Sequence, residues 1–133
     1  MKTVLIALFL ALPISAQGVK WEQSLVAAKK RAQAEKKAIF LDLWAEWCGP
    51  CQALKKNVFP TTQAQAALKK VIPLEVVVEK SDGTPMPEGK ALASQYNLRA
   101  FPSLFILDAK GNLLRSHVGY LSPEQLAEFI KGS

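Results

Sequence analysis

The chemistry available to this sequence centres on Cys48 and Cys51, its two cysteines. They lie in the segment WCGPC, where Gly49 and Pro50 separate them and Trp47 precedes them. Cysteines at this spacing serve as a structural disulfide, as metal ligands or as a dithiol that is reversibly oxidised. Each of these roles needs a different setting, so the surrounding residues decide among them.

The first two roles have little support. A disulfide that closes so small a loop removes little chain entropy, contributing only about 2 kcal/mol before strain. A closed zinc site needs four ligands, whereas the chain offers one cysteine pair and a single histidine, His117. We expect His117 to face solvent without a functional role. We therefore expect no metal and no other cofactor.

The third role, reversible dithiol chemistry, fits a helix that begins at the cysteines. Proline is tolerated in a helix only within the first turn, so Pro50 predicts that the segment GPCQALKKNVF starts a helix directly after Cys48. Unpaired N–H groups and the helix dipole at that end stabilise a thiolate. Cys51 would lie one turn further on the same face, shielded but within reach of the first sulfur. Cys48 is thus predicted to attack and Cys51 to resolve.

The elements that must position the cysteines predict an α/β fold. The run Ala38–Trp44, AIFLDLW, is short, apolar and rich in strand formers, which indicates a central strand buried on both faces. Asp42 is an anomalous acid inside this strand. Because open α/β sheets place their sites beyond the carboxyl ends of strands, Cys48 would lie at such a position.

Helices and strands alternate early and a hairpin follows, which predicts a mixed central β-sheet flanked by helices on both faces. Further strands are predicted at Val71–Val78, Pro102–Asp108 and Leu113–Val118. Helices are predicted at Trp21–Lys37, from a capping box at Thr62–Gln65 to about Lys70, at Glu88–Tyr96 and from Pro123 to Lys131.

The amino-terminal residues resemble a secretory signal peptide. The stretch MKTVLIALFLALPISAQG has one lysine, an apolar run from Val4 to Leu12 and small residues after Pro13. We predict cleavage near Ala16, so that residues 1–16 are a signal peptide and residues 17–133 form one domain, with an uncleaved anchor as the alternative. Export would place the cysteines in an oxidising compartment, where disulfides persist.

The charge balance argues against nucleic acid as a partner. The formal net charge is +6, from 17 Lys and Arg against 11 Asp and Glu. These basic residues are spread along the predicted helices and form no run interleaved with aromatic residues. We therefore expect no nucleic-acid binding.

The segment Ala38–Cys51, AIFLDLWAEWCGPC, resembles the active-site segment of thioredoxins. Pro102 in RAFPSLFIL, Gly119 in HVGY and the closing helix follow in the same order. WCGPC preceded by a strand with an acid at that offset is highly specific, and the resemblance covers the chain from Trp21 onward. It implies a thioredoxin fold and thiol-disulfide exchange at Cys48 and Cys51.

The resemblance also implies roles for other residues. Asp42 would be the buried acid that assists proton transfer at the inner cysteine; the alternative is an acid hydrogen-bonded in a polar pocket. Pro102 would follow a cis peptide bond beside the cysteines, where adjoining backbone can pair with a substrate strand. Trp47 would form a rim, or else belong to the core, and Gly119 would leave room for a partner or make a turn. The expected substrate-contacting residues are Trp47, Gly49, Pro50, Phe101, Pro102 and Gly119.

Two neighbours of the sulfurs depart from the common thioredoxin pattern, namely Gln52 and Phe101. These two residues and the long loop after VVV are features that resemble the exported branch of the thioredoxin family, which includes the C-terminal domain of the membrane protein DsbD. The resemblance implies a periplasmic oxidoreductase that reduces disulfides of exported proteins and takes electrons from a DsbD-like membrane donor. We also expect a monomer. An oxidant or isomerase on the same fold, and a binding module with a static disulfide, are the alternatives.

Overall fold

The computed structural model describes residues 18–132, so the predicted signal peptide lies outside the described residues. The helices are α1 Leu25–Glu35, α2 Gly49–Ala53, α3 Thr62–Leu68, α4 Pro87–Gln95 and α5 Pro123–Lys131, and α2 continues into a π-helical segment at Leu54–Val58. The strands are β1 Ile39–Ala45, β2 Ile72–Glu79, β3 Ser103–Leu107 and β4 Leu113–Val118.

The four strands form one sheet in the order β2-β1-β3-β4. β1 is parallel to β2 and antiparallel to β3, and β3 is antiparallel to β4. One face packs against α1 and α4, while the other packs against the π segment, α3 and α5. The predicted α/β thioredoxin fold, with a mixed sheet between two helical layers, is confirmed.

β1 carries the chain through the middle of the sheet to the cysteines. Ile39, Leu41 and Leu43 are fully buried on the α1 and α4 face, and Phe40 is fully buried on the opposite face. Each such side chain contributes about 1.5–3 kcal/mol by leaving water. The strand is therefore a rigid support for whatever follows its carboxyl end.

The first helix begins later than Trp21, where the sequence had predicted its start. Ser24 caps α1 by accepting a hydrogen bond from the Ala27 N–H at 3.1 Å. Before it, Glu22 pairs with β2 through an isolated bridge to Leu74. Trp21 packs instead against Phe40, on the sheet face opposite α1. The spacing from Trp21 to the apolar residues of α1 fits the helical period, but Trp21 packs in the core on the α3 and α5 side of the sheet.

The predicted capping box of α3 is also wrong. The cap is Thr61, whose hydroxyl accepts a hydrogen bond from the Ala64 N–H at 3.2 Å. The Gln65 side chain donates to the Phe59 carbonyl and accepts from the Val19 N–H. Gln65 therefore fastens the amino-terminal segment to α3 and does not complete a capping box.

His117 does not face solvent as the sequence had suggested. The register of β3 and β4 sets His117 opposite Leu104, whose side chain lies in the core cluster beneath α5. The imidazole is half-buried with its ring centroid 6.1 Å from that of Phe129 on α5. It is a packing residue at the edge of the sheet.

Gly89 sets the distance between α4 and β2, which predicts a stability effect. A β-carbon at position 89 would overlap the Val77 carbonyl oxygen and lie 2.6 Å from the Val78 Cα. Because both are backbone atoms, Gly89→Ala should lower the free energy of unfolding by about 1–3 kcal/mol in urea denaturation. Gly49→Ala is the control, since its new methyl group meets nothing within 4 Å. Equal effects of the two substitutions would contradict the close helix-strand contact.

Candidate active site

The two cysteines form a disulfide at the start of α2. Cys48 is the N-cap, and its sulfur accepts a hydrogen bond from the Cys51 N–H at 3.2 Å. The Cys48 N–H donates to the Ala45 carbonyl at the end of β1, at 3.1 Å. Pro50 lies in the first helical turn, where its missing N–H costs nothing. The predicted placement at a helix amino terminus is confirmed.

The cysteines differ in burial in the order that the sequence predicted. Cys51 is fully buried, while Cys48 is 4% exposed in this disulfide-bonded state. The residues on either side of the outer sulfur are open to solvent: Trp47, Gly49 and Pro50. A partner must therefore approach Cys48 across the surface that these three residues form.

Trp47 is part of an ordered rim and not of the core. Its side chain is 52% exposed, and its indole N–H donates to the Glu79 carboxylate at 2.9 Å. Its ring meets the Phe101 ring edge-on, with centroids 5.6 Å apart. Glu79 is also ion-paired with Lys90. The sequence reasoning missed Glu79, although its place at the end of a parallel strand was a usable signal.

Pro102 and Gly119 come together beside the cysteines. The Phe101–Pro102 peptide bond is cis, as expected, and Phe101 packs against the cluster of Ala45, Cys48 and Cys51. The Gly119 N–H donates to the Pro102 carbonyl at 2.8 Å. Gly119 has a φ of 103°, a conformation that favours glycine. The structure thus groups Phe101, Pro102 and Gly119 on the cysteine side of the sheet.

Asp42 is fully buried on β1, and neither carboxylate oxygen has a hydrogen-bond partner among the described residues. No group of the described residues therefore supplies the hydrogen bond that the alternative, an acid hydrogen-bonded in a polar pocket, would need. Burial, reinforced by the charge of Glu75 and partly offset by Lys55, raises the pKa of Asp42 to about 7. Such a group can accept and return a proton near neutral pH.

Glu75 and Lys55 are two further charged residues of this region that the sequence reasoning missed. Glu75 pairs with Asp42 in the β1–β2 register, and the Lys55 ammonium lies 2.8 Å from the Glu75 carboxylate. An acid inside the apolar run VIPLEVVV was a signal for the first. Nothing in the sequence pointed to Lys55, because its partner Glu75 is twenty positions away.

Residues 18–132 contain no group of three or more His, Cys, Asp or Glu side chains that could hold a metal ion. Within the same residues, no helix has the length and apolar character to cross a bilayer.

Comparison with known proteins places this site in a family. The profile of the family described as "Thioredoxin-like domain" matches residues 25–132. The chain is 27% identical over 93 residues to the thiol:disulfide interchange protein DsbD of Haemophilus influenzae, covering 68% of this chain but only 15% of that protein. It is 33% identical over 95 residues to a thioredoxin of Buchnera aphidicola, covering 71% of this chain and 77% of the thioredoxin.

A solved structure shows the same fold. The oxidised C-terminal domain of DsbD from Neisseria meningitidis superposes with a TM-score of 0.67 at 19% identity, over 80% of this chain and 90% of that domain. The fold, the cysteine pair at the helix start and the matched profile agree with one another. The chain belongs to the thioredoxin-like family, and within it resembles DsbD.

Proposed function

We propose that the chain is a periplasmic thiol-disulfide oxidoreductase that reduces disulfides of exported proteins. The observation that carries the proposal is the Cys48–Cys51 disulfide at a helix start, with the outer sulfur accepting the Cys51 N–H. That N–H and the helix dipole would stabilise the Cys48 thiolate in the reduced protein. A sulfur so placed is suited to be both nucleophile and leaving group.

The proposed reaction has two exchange steps. The Cys48 thiolate attacks one sulfur of a substrate disulfide, which forms a mixed disulfide and releases the other substrate sulfur as a thiolate that takes up a proton. Cys51 then gives its proton to Asp42, and its thiolate attacks the Cys48 sulfur, which breaks the mixed disulfide and releases the second substrate sulfur as a thiolate. That thiolate takes up a proton from water, and Asp42 returns its proton to water. Two electrons pass from the chain to the substrate, and the chain is left with its disulfide.

The surface around Cys48 supports a protein substrate. Trp47, Gly49 and Pro50 are exposed beside the sulfur, and the half-buried Phe101 packs on the cysteine cluster. We propose that these residues, with Pro102 and Gly119, contact an extended substrate segment through side chains and backbone. The Trp47–Phe101 ring contact and the hydrogen bond from the Gly119 N–H to the Pro102 carbonyl support this grouping.

The reductive direction rests on the dipeptide between the cysteines and implies an electron donor. Gly49 and Pro50 match the dipeptide of reducing thioredoxins, which the sequence resembles. In an oxidising compartment the chain would need to be reduced again after each cycle, and similarity to part of DsbD supports a DsbD-like membrane donor. We propose that the chain works as a monomer.

Equilibration of residues 17–133 with glutathione buffers tests the direction. We expect a reduction potential close to that of thioredoxin, about −270 mV. A potential near that of the oxidant DsbA, about −120 mV, would overturn the reductive assignment and favour the oxidant. Failure of the disulfide to equilibrate with glutathione would favour a static disulfide in a binding module.

A further inference from the structure

Asp42 has a second acid as its direct neighbour in the sheet. Glu75 on β2 is its partner in the parallel β1–β2 register, and side chains aligned in this way point to the same face of a sheet. Trp44 lies two residues along β1 and shares that face. β2 is one of the two edge strands of the sheet, so Glu75 lies between the buried acid and that edge.

Lys55 brings a positive charge over these residues from the helix that follows the cysteines. It is the second residue of the π segment, which closes with a hydrogen bond from the Phe59 N–H to the Leu54 carbonyl. Its ammonium contacts Glu75 and lies 3.4 Å from the centroid of the Trp44 ring. Two separate contacts, an ion pair and a cation-π interaction, therefore hold Lys55 in place.

The remaining neighbours of Asp42 carry no charge. β3 presents Leu104 beside it, and its own strand presents Phe40 and Trp44 on the same face. Of the charged groups in residues 18–132, those that act on Asp42 are Glu75 and Lys55, and their signs are opposite. The Lys55 and Glu75 side chains are only 30% and 23% exposed, so water screens them incompletely.

We propose that Glu75 and Lys55 are positioning residues that set the proton affinity of Asp42 in opposite directions, and so set the pH range in which Cys51 can resolve a mixed disulfide. The negative charge of Glu75 disfavours a second negative charge on Asp42, so Asp42 keeps its proton to higher pH. The ammonium of Lys55 offsets that effect. The effect on Cys51 rests on the proposed function, whereas the effect on Asp42 itself does not.

The direct test is the titration of the Asp42 carboxyl carbon by NMR, in residues 17–133 with the disulfide intact. Removing the like charge with Glu75→Gln should move the titration midpoint of Asp42 about one pH unit lower, and removing the opposite charge with Lys55→Met should move it about one unit higher. Midpoints that stay where they are, or that move in the same direction in both variants, would overturn the proposal.

A matched control separates this effect from the loss of any Lys–Glu pair. Lys37 and Glu35 also form an ion pair, at 3.3 Å, at the far end of α1. Glu35→Gln and Lys37→Met should leave the Asp42 midpoint where it is in the parent protein. A shift as large as that of Glu75→Gln would show that the midpoint reports net charge and not local geometry.

The kinetic counterpart is the pH profile of the resolving step, measured in a single turnover with a disulfide-bonded peptide. The rate of resolution should rise with pH as Asp42 loses its proton and can accept the proton of Cys51. This rise should occur at lower pH in Glu75→Gln and at higher pH in Lys55→Met, and the rates reached at high pH should agree within about twofold. If the parent protein exchanges no disulfide, the proposed function fails, and the NMR titration still decides the roles of Glu75 and Lys55.

Discussion

Cys48→Ala should abolish thiol-disulfide exchange, whereas Cys51→Ala should stop the reaction halfway. Without Cys48 no cysteine sulfur of residues 18–132 lies at the exposed surface around Trp47 and Pro50, because Cys51 is fully buried. Without Cys51, Cys48 still attacks, but the mixed disulfide has no internal thiol to release it. Insulin reduction should fall to the uncatalysed rate in both variants, and covalent adducts with a disulfide-bonded protein should accumulate in Cys51→Ala alone.

A surface substitution far from the cysteines provides the control for these variants. Val26 on α1 is 79% exposed, so Val26→Ala should exchange disulfides as the parent protein does. Exchange retained in Cys48→Ala, or adducts that form through Cys51, would reverse the roles given to the two sulfurs. Full function in a double Cys48→Ala and Cys51→Ala variant would favour the binding module with a static disulfide.

Asp42→Asn should make the protein more stable at alkaline pH while it slows resolution. The pKa of Asp42 is about 7 in the folded chain and 3.8 at its ordinary value, so between these pH values the folded state binds more protons than the unfolded state. The free energy of unfolding therefore falls as pH rises through this window. Across the whole window the free energy of unfolding falls by up to about 4 kcal/mol. Asparagine does not titrate, so the variant does not lose this stability.

Urea denaturation of the disulfide-bonded protein at pH 4 and pH 8.5 measures this difference. Asp42→Asn should gain stability over the parent protein at pH 8.5, and most of that gain should vanish at pH 4. The resolving step should slow by about a hundredfold, because the group that takes the Cys51 proton is gone. Asp82→Asn, at an exposed loop position, is the control and should show no alkaline gain. Parallel pH dependences in Asp42→Asn and the parent protein would contradict a buried titrating acid.

The parts of the molecule that follow local rules could be predicted from the sequence. The apolar run before the cysteines became β1 because both of its faces are covered. Pro50 marked the start of α2 because only the first turn of a helix accepts proline. The cis bond before Pro102 was foreseen through resemblance and not through any local rule, since most prolines follow trans bonds.

The parts set by long-range packing could not be predicted in this way. The position of Trp21 fits the helical period of α1, yet its ring packs against Phe40 and Phe59 on the opposite face of the sheet. His117 is half-buried because α5 packs over the edge strand. Lys55 and Glu75 meet through a side-chain ion pair between the π segment and β2, and nothing local to either residue specifies that contact.

Alkylation of the reduced protein across a pH series tests the central claim most directly, because it follows the ionisation of the Cys48 sulfur itself. We predict that Cys48 reacts first and that its reactivity rises at a pH clearly below 8.5, the value of an ordinary free thiol, while Cys51 stays unmodified. An ionisation like that of a free thiol, or no alkylation of Cys48 in the folded protein, would contradict disulfide exchange through this site.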